Sequence, residues 1–337
     1  MLQIQGNYLE GGGSIVRLAT ALSAITQTPI KITNIRQFRD SSGLKTQHLR
    51  AIESVSNICN GELKNAYLGS KEIEFYPGKI EKSKLKVNIE TAGSVGLLLQ
   101  CLMLPSFYNK KETEIEITGG GTVGSHAPNL LYTENVLLPL IKKLGFEASL
   151  EIKKHGFFPK GGAYTIFKTK SALPKPLHIL ERGKLEQIIG ISLATKDLQK
   201  ANVAERQSNS AKKILKDYDV KIKNFYVDSL STGSALLLYA EFENTVIAWD
   251  SIGERGKPSE RIGEEAAKGL IEQLNSEATL DDYMQDQILI FMAIAKQGSF
   301  KYNNLTDHAK TNMWLIEKFL PVKFEIKDNA IYCNPSQ

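Results

Sequence analysis

Apolar positions recur with helical spacing in three stretches of the chain. Each time a short strand and a polar loop follow, and then a second helix. In the first stretch the pattern predicts a helix from Gly13 to Ile25, a strand from Ile30 to Ile35, a loop from Arg36 to Lys45 and a helix from Gln47 to Cys59. In the second it predicts a helix from Ala92 to Phe107, a strand from Glu114 to Thr118, a loop from Gly119 to Pro128 and a helix from Leu130 to Leu144. The third runs from a helix over Asp282 to Ala295 through a strand around Ser299 to Tyr302 and a loop from Asn303 to Lys310 to a helix from Thr311 to Phe319. This internal repeat places Arg36 with Arg39, the run Gly119-Gly120-Gly121, and His308 in equivalent loops. Loops held by a repeated scaffold are where chemistry is expected.

Between the second and third stretches, roughly Ile179 to Leu274, the pattern changes. A strand from Gln187 to Ala194 and a helix from Ala204 to Asp217 precede two strands, Ala235 to Phe242 and Thr245 to Ile252, joined at Glu243-Asn244 as a hairpin. The expected fold is α+β: three repeated helix-pair-on-sheet units with a smaller inserted α/β domain. Residues 1–178 carry the first two repeats of the large domain, 179–274 the insert, and 275–337 the third repeat, with Ser171 to Pro176 as an exposed connector.

Composition narrows the class without naming it. The chain has 337 residues, 42% hydrophobic and 23% charged, as in ordinary soluble globular proteins, and a formal net charge of +5. That charge fits a polyanionic partner only mildly, because the lysines are scattered over solvated faces. Cys59, Cys101 and Cys333 form no metal-spaced pair. Buried reduced thiols at Cys59 and Cys101, with no signal peptide and no 18-residue apolar span, lead to the expectation of a cytoplasmic protein away from membranes.

Two segments carry candidate chemistry. His308 stands in Asp307-His308-Ala309-Lys310-Thr311-Asn312, directly ahead of the apolar run Met313 to Leu320. A helix N-terminus favours a bound phosphate and disfavours imidazolium, so a neutral ring nitrogen there can act as a nucleophile on phosphorus. Alone, such a histidine is more often a cap or a surface residue. The second segment is Glu10-Gly11-Gly12-Gly13-Ser14-Ile15-Val16-Arg17, where glycines admit a phosphate to the backbone, Glu10 suits a divalent metal and Arg17 suits a phosphate. A tight turn packed on a strand is the bland alternative.

Beside these stand Ile35-Arg36-Gln37-Phe38-Arg39, Gly43 to Leu49, Thr91 to Gln100, Gly119 to Thr122 with Ala127-Pro128, His155 to Gly162, Gly253 to Pro258 and Tyr283 to Gln287. In this order and over nearly the whole chain, the sequence resembles the RNA 3′-terminal phosphate cyclase family. The resemblance implies a large domain built of enolpyruvyl-transferase-like repeats. It also implies a three-step reaction with ATP. His308 becomes adenylylated with release of diphosphate, AMP passes to an RNA 3′-phosphate, and the neighbouring ribose 2′-oxygen closes a 2′,3′-cyclic phosphate and expels AMP.

Matched position by position, the resemblance implies His308, Arg17 and Asp286 as catalytic residues and Glu10 as ligand of a divalent metal, Mg or Mn. Arg36, Arg39 and Gln47 are implied at the RNA end, and Gln100, Tyr132, Tyr283, Asp286, Gln287 and His308 in the nucleotide pocket. The implied partners are ATP and RNA bearing a 3′-phosphate, with the oligomeric state open and a homodimer among the options. His48 reads as structural, His126 as non-catalytic, and His155 as part of a packing signature. Gly161-Gly162-Ala163, Val123 to His126, Asn129 and Leu131 depart from the family pattern and bear on ATP preference. Two other readings stay in view. A non-catalytic cyclase-like protein of ribosome biogenesis would lack the histidine, and an enolpyruvyl transferase would need more copies of the repeat.

Overall fold

The computed structural model describes residues 1–125 and 127–336, with His126 and Gln337 outside the description. The chain opens with strand β1 (Leu2–Gln5), helix α1 (Gly13–Thr26), strand β2 (Ile30–Thr33), helix α2 (Thr46–Ile58) and strands β3 (Glu62–Lys64) and β4 (Ile73–Tyr76). Their sheet has the order β1-β2-β4-β3, with β1 and β2 parallel and the other pairs antiparallel. The same succession follows in β5 (Lys84–Ser94), α3 (Val95–Phe107), β6 (Thr113–Gly121), α4 (Leu130–Tyr132), a π-turn (Thr133–Leu137), α5 (Leu138–Lys143), β7 (Ala148–Lys154) and β8 (Tyr164–Thr169). That sheet is ordered β5-β6-β8-β7, again with only the first pair parallel.

Strand β9 (Leu177–Ile179) then leads into β10 (Leu185–Thr195), α6 (Val203–Ile214), β11 (Val220–Val227), β12 (Ser234–Phe242), β13 (Val246–Ile252) and α7 (Ser259–Asn275). These form a sheet of different order, β11-β10-β12-β13, and a core of their own in which Ile188, Leu236, Leu238 and Ile247 meet Ile262, Ala266 and Leu270. The chain closes with α8 (Met284–Ile294), β14 (Gly298–Lys301), α9 (Asp307–Ile316), β15 (Val322–Lys327) and β16 (Ala330–Pro335). Here β9, which precedes the differently ordered sheet, pairs in parallel with β14, giving the order β9-β14-β16-β15.

Helices α1, α3 and α8 are buried along most of their length, so their sequences are apolar around the whole circumference rather than along one stripe. Helix α1 packs on α2, α3 and α9. All three cysteines are buried and unpaired. Among the described residues no helix is long and apolar enough to cross a membrane.

Four boundaries differ from the sequence expectation, each for a local reason. Strand β5 continues to Ser94, whose hydroxyl accepts the Leu97 N–H at 3.1 Å, so the helix expected from Ala92 starts at Val95. The Gly119 loop is the end of β6, because Gly119 and Gly120 take positive φ (76° and 73°) and stay paired beside β5. The helix expected from Leu130 to Leu144 slips into a π-turn, since Pro139 has no N–H to return to Asn135. Finally, Thr306 Oγ1 accepts the Ala309 N–H at 3.1 Å, so α9 begins at Asp307 and His308 sits in its first turn rather than in a loop.

Candidate active site

A cavity of about 860 Å³ opens where α1, α2, α3, α8 and α9 approach β13. Glu10, Arg17, Arg36, Arg39, Gln47, Gln100, Tyr132, Tyr283, Asp286, Gln287 and His308 all line it, so the residues singled out in the sequence share one wall system.

Glu10 is fixed at one end. Its Oε2 accepts the Gly12 N–H (2.7 Å) and the Ser14 hydroxyl (2.8 Å), while Oε1 takes an ion pair from Arg39 at 2.6 Å. Oε1 also lies 3.8 Å from His308 Nε2. Two contacts bring these distant segments together: Tyr8 stacks on Trp314 with centroids 4.0 Å apart, and the Glu10 N–H donates to Thr311 Oγ1 at 3.4 Å. The glycines here serve side chains. A Cβ on Gly12 would stand 2.0 Å from the Glu10 carboxylate, and one on Gly13 would stand 2.1 Å from His48 Nε2.

Arg17 rises from the second turn of α1 into the cavity floor. It is buried, and among the described residues its guanidinium makes no hydrogen bond and no ion pair, though Cys101, Glu10 and Asp286 act on it from a distance. Burial pulls its pKa down from the usual arginine value. An unpaired buried cation is costly unless an anion joins it. Asp286 lines the cavity from α8 and is partly buried. Burial lifts its carboxyl to about 6, against the opposing pull of His308 and Arg17. The side chain of His308 is about half exposed and faces Glu10 and Asp286.

Arg36, with φ of 52°, spends its Nη1 on the carbonyls of Ser41 (2.6 Å) and Gly43 (3.1 Å), fixing its own loop while lining the cavity. Gln47 lies in the first turn of α2. His48, read as structural, accepts the Lys45 N–H on Nδ1, and burial, then Arg17, Arg36 and Lys45, drive its pKa down to about 3. It also lines the cavity, behind Gly13.

At the other end Gln100 donates to Gln287 at 3.1 Å, and Gln287 donates to the Tyr283 carbonyl at 2.8 Å. Tyr283 leans on Trp249 (centroids 4.6 Å) and meets Tyr132 edge-on. The Tyr132 hydroxyl donates to Asp281 at 2.7 Å, and that carboxylate also accepts the N–H groups of Ala248, Tyr283 and Met284. Tyr132 is thus committed to the wall, whereas Tyr283 offers a face.

Sequence reading passed over Asp250 and Ser251, which also line the cavity, as do Asn129, expected to bear on ATP preference, and Lys257 of the Gly253 to Pro258 segment. Asn129 donates to Asp250 at 3.1 Å, and burial raises the Asp250 pKa. The segment Gly253 to Pro258 was the one signal that this part of the chain reaches the site. By contrast Gly119 to Gly121 do not line it. Beside them His155 meets Thr122 Oγ1 at 3.0 Å, and burial lowers its pKa to about 4.

Among the described residues no group of three or more His, Cys, Asp or Glu side chains gathers to hold a metal. A divalent ion at Glu10 would have this one carboxylate from the protein and would have to draw its remaining ligands from phosphate oxygens.

A family model described as RNA 3′-terminal phosphate cyclase matches residues 8–326. Curated proteins named RNA 3′-terminal phosphate cyclase are similar along almost their whole length. The one from Methanosarcina barkeri is 39% identical over 97% of both chains. Those from Saccharolobus solfataricus and Pyrococcus furiosus are 41% and 38% identical over 97% of this chain and 96% and 95% of theirs. With the match running from the Glu10 segment through His308, the chain belongs to the RNA 3′-terminal phosphate cyclase family.

Proposed function

We propose that the chain converts an RNA 3′-terminal phosphate to a 2′,3′-cyclic phosphate at the expense of ATP, through an adenylyl group carried on His308. One observation carries this reading: the His308 imidazole stands in the first turn of α9, 3.8 Å from Glu10, over a cavity whose floor holds an unpaired buried guanidinium.

In the first step a neutral ring nitrogen of His308 attacks the α-phosphorus of ATP, forming the P–N bond as the bond to diphosphate breaks. Helix α9 presents its N-terminus there, and Arg17 faces the charge that develops on the phosphates. Asp286 stabilises and orients the imidazole as it becomes cationic. In the second step an oxygen of the RNA 3′-phosphate attacks the adenylyl phosphorus and His308 leaves. In the third the 2′-oxygen attacks the 3′-phosphorus and AMP departs. A phosphate monoester lacks a good leaving group and its adenylate has one, which is why the order runs this way.

Arg39 and Arg36, on the loop beside Glu10, are placed to receive the RNA phosphate, with Gln47 at the start of α2. Glu10 would hold a divalent ion, magnesium or manganese, which neutralises charge on the triphosphate when bound. Tyr283 offers its face to the nucleotide base, with Gln100 and Gln287 along the same wall. In this reading residues 1–178 and 275–337 form the catalytic body of three related units, and 179–274 form the insert that supplies Asp250 to Lys257 to the rim.

Incubation with α-labelled ATP and magnesium, followed by denaturing electrophoresis, tests the proposal. Acid-labile, alkali-stable label on the wild type and none on His308→Ala is the expected result. Label retained by the variant would overturn the assignment. An RNA end with a 3′-phosphate on a 2′-deoxyribose should accept AMP and stall as the mixed anhydride, because the closing oxygen is missing.

A further inference from the structure

Two large apolar side chains are exposed next in sequence to residues that line the cavity: Phe38, 76% exposed, precedes Arg39, and Leu9, 54% exposed, precedes Glu10. Their sequence neighbours are joined, since Arg39 grips the side chain and carbonyl of Glu10 at 2.6 and 3.0 Å. This ion pair ties the loop that carries Phe38 to the turn that carries Leu9. Leu9 adopts φ of 42°, a left-handed conformation that ordinarily goes to glycine.

The loop under Phe38 is not loose. Arg36 binds the carbonyls of Ser41 and Gly43, Gln37 accepts from Asn7 Nδ2 at 2.7 Å, and the Arg39 N–H returns to the Arg36 carbonyl at 3.1 Å. Every neighbour of Phe38 is tied down, while its own ring pairs with no aromatic and joins no core cluster among the described residues. A lone exposed phenylalanine is unremarkable on most surfaces. Here it lies between two arginines that both line the cavity.

We propose that Phe38 is a stacking platform for the first nucleobase of the RNA 3′ end outside the cavity, while Arg36 and Arg39 hold the terminal phosphate. The inference rests on the RNA reading of the site given above. Single-stranded nucleic acid is held by just this pairing of cationic groups for the backbone with an aromatic face for the base, and the stack tolerates any base. Phe38 is a positioning residue: it touches the strand and not the reacting atoms.

The test compares wild type, Phe38→Ala and Phe38→Trp on oligoribonucleotides ending in 3′-phosphate, with either the terminal or the penultimate base removed. Self-adenylylation by ATP without RNA is measured on the same preparations. Stacking of this kind leads us to expect about a 10-fold higher RNA KM for Phe38→Ala and recovery in Phe38→Trp. An abasic site at one of the two positions should cost the wild type a similar factor and cost Phe38→Ala little. An unchanged KM in Phe38→Ala, or equal losses for both enzymes on abasic RNA, would overturn the platform. Failure of self-adenylylation in the wild type would instead sink the underlying reading of the site.

Discussion

Two glycine runs in this chain look alike in sequence and do opposite things. Gly11 to Gly13 ends in the N-terminus of α1, with Gly12 and Gly13 lining the cavity, whereas Gly119 to Gly121 ends β6 and packs against β5, away from it. Each has a histidine near it: His308 faces Glu10 from the first turn of α9, and His155 is sunk against Thr122. The first run brings a carboxylate, an imidazole and helix N–H groups to open space. The second brings backbone to backbone. A glycine run therefore marks close approach, and the element that follows it decides whether a ligand or another strand does the approaching.

The widest separation between the two regions should appear in covalent labelling. His308→Ala abolishes the adenylate, and because that side chain is about half exposed, the thermal transition stays near the wild-type value. His155→Gln keeps the label, since no cavity-lining group depends on it. A labelled His308→Ala protein would erase the contrast.

Next in size come the charges of the first region. Glu10→Ala and Arg17→Ala should each slow self-adenylylation by roughly 10²- to 10³-fold, as expected for groups that offset developing charge. Supplied with pre-adenylated RNA, both variants should recover most of their closing rate, read as AMP release. Full loss on that substrate would move Glu10 and Arg17 out of the first step.

The glycines themselves sharpen the comparison further. Gly119→Ala places a Cβ 2.0 Å from the Ile89 carbonyl oxygen at φ of 76°, so backbone has to move, and about 3 kcal/mol of stability or more is lost. Gly12→Ala meets the Glu10 carboxylate at the same 2.0 Å, but that is the end of a flexible side chain. Its stability should fall by only about 1 kcal/mol while self-adenylylation drops steeply, because Glu10 is displaced. Urea unfolding and label incorporation on the same two variants read both quantities, and equal patterns in the two would remove the distinction.

Much of this was legible before any coordinates. Helices α1, α2, α8 and α9 were expected from their runs of apolar residues, and the candidate residues on them were marked by the resemblance to the cyclase family. What was not legible depended on single hydrogen bonds or on non-local pairing. The Thr306 cap draws α9 back to enclose His308, and Pro139 opens the π-turn. The short β9 finds its partner β14 only after the whole intervening sheet is built. Asp250 and Ser251 were passed over because they look like ordinary strand polars. They reach the cavity only because β13 is docked against the helices.

The last contrast concerns the histidines that carry no proposed chemistry. Burial lowers His155 to about 4 and His48 to about 3, both below the ordinary histidine value of 6.5. Between those limits the unfolded chain binds protons that the folded chain refuses, so stability rises with pH and levels off above about 6.5. Each group adds a slope of about 1.4 kcal/mol per pH unit within its window, so falling pH from 6.5 to 4 removes stability through both at once. His155→Gln deletes one of the two terms. The variant should lose less stability than the wild type over this range, with the gap in stability lost widening steadily as the pH falls toward 4. Urea unfolding at half-unit intervals measures it. Parallel curves for the two proteins would mean that His155 titrates normally, and that the second glycine run is more open than its packing against Thr122 indicates.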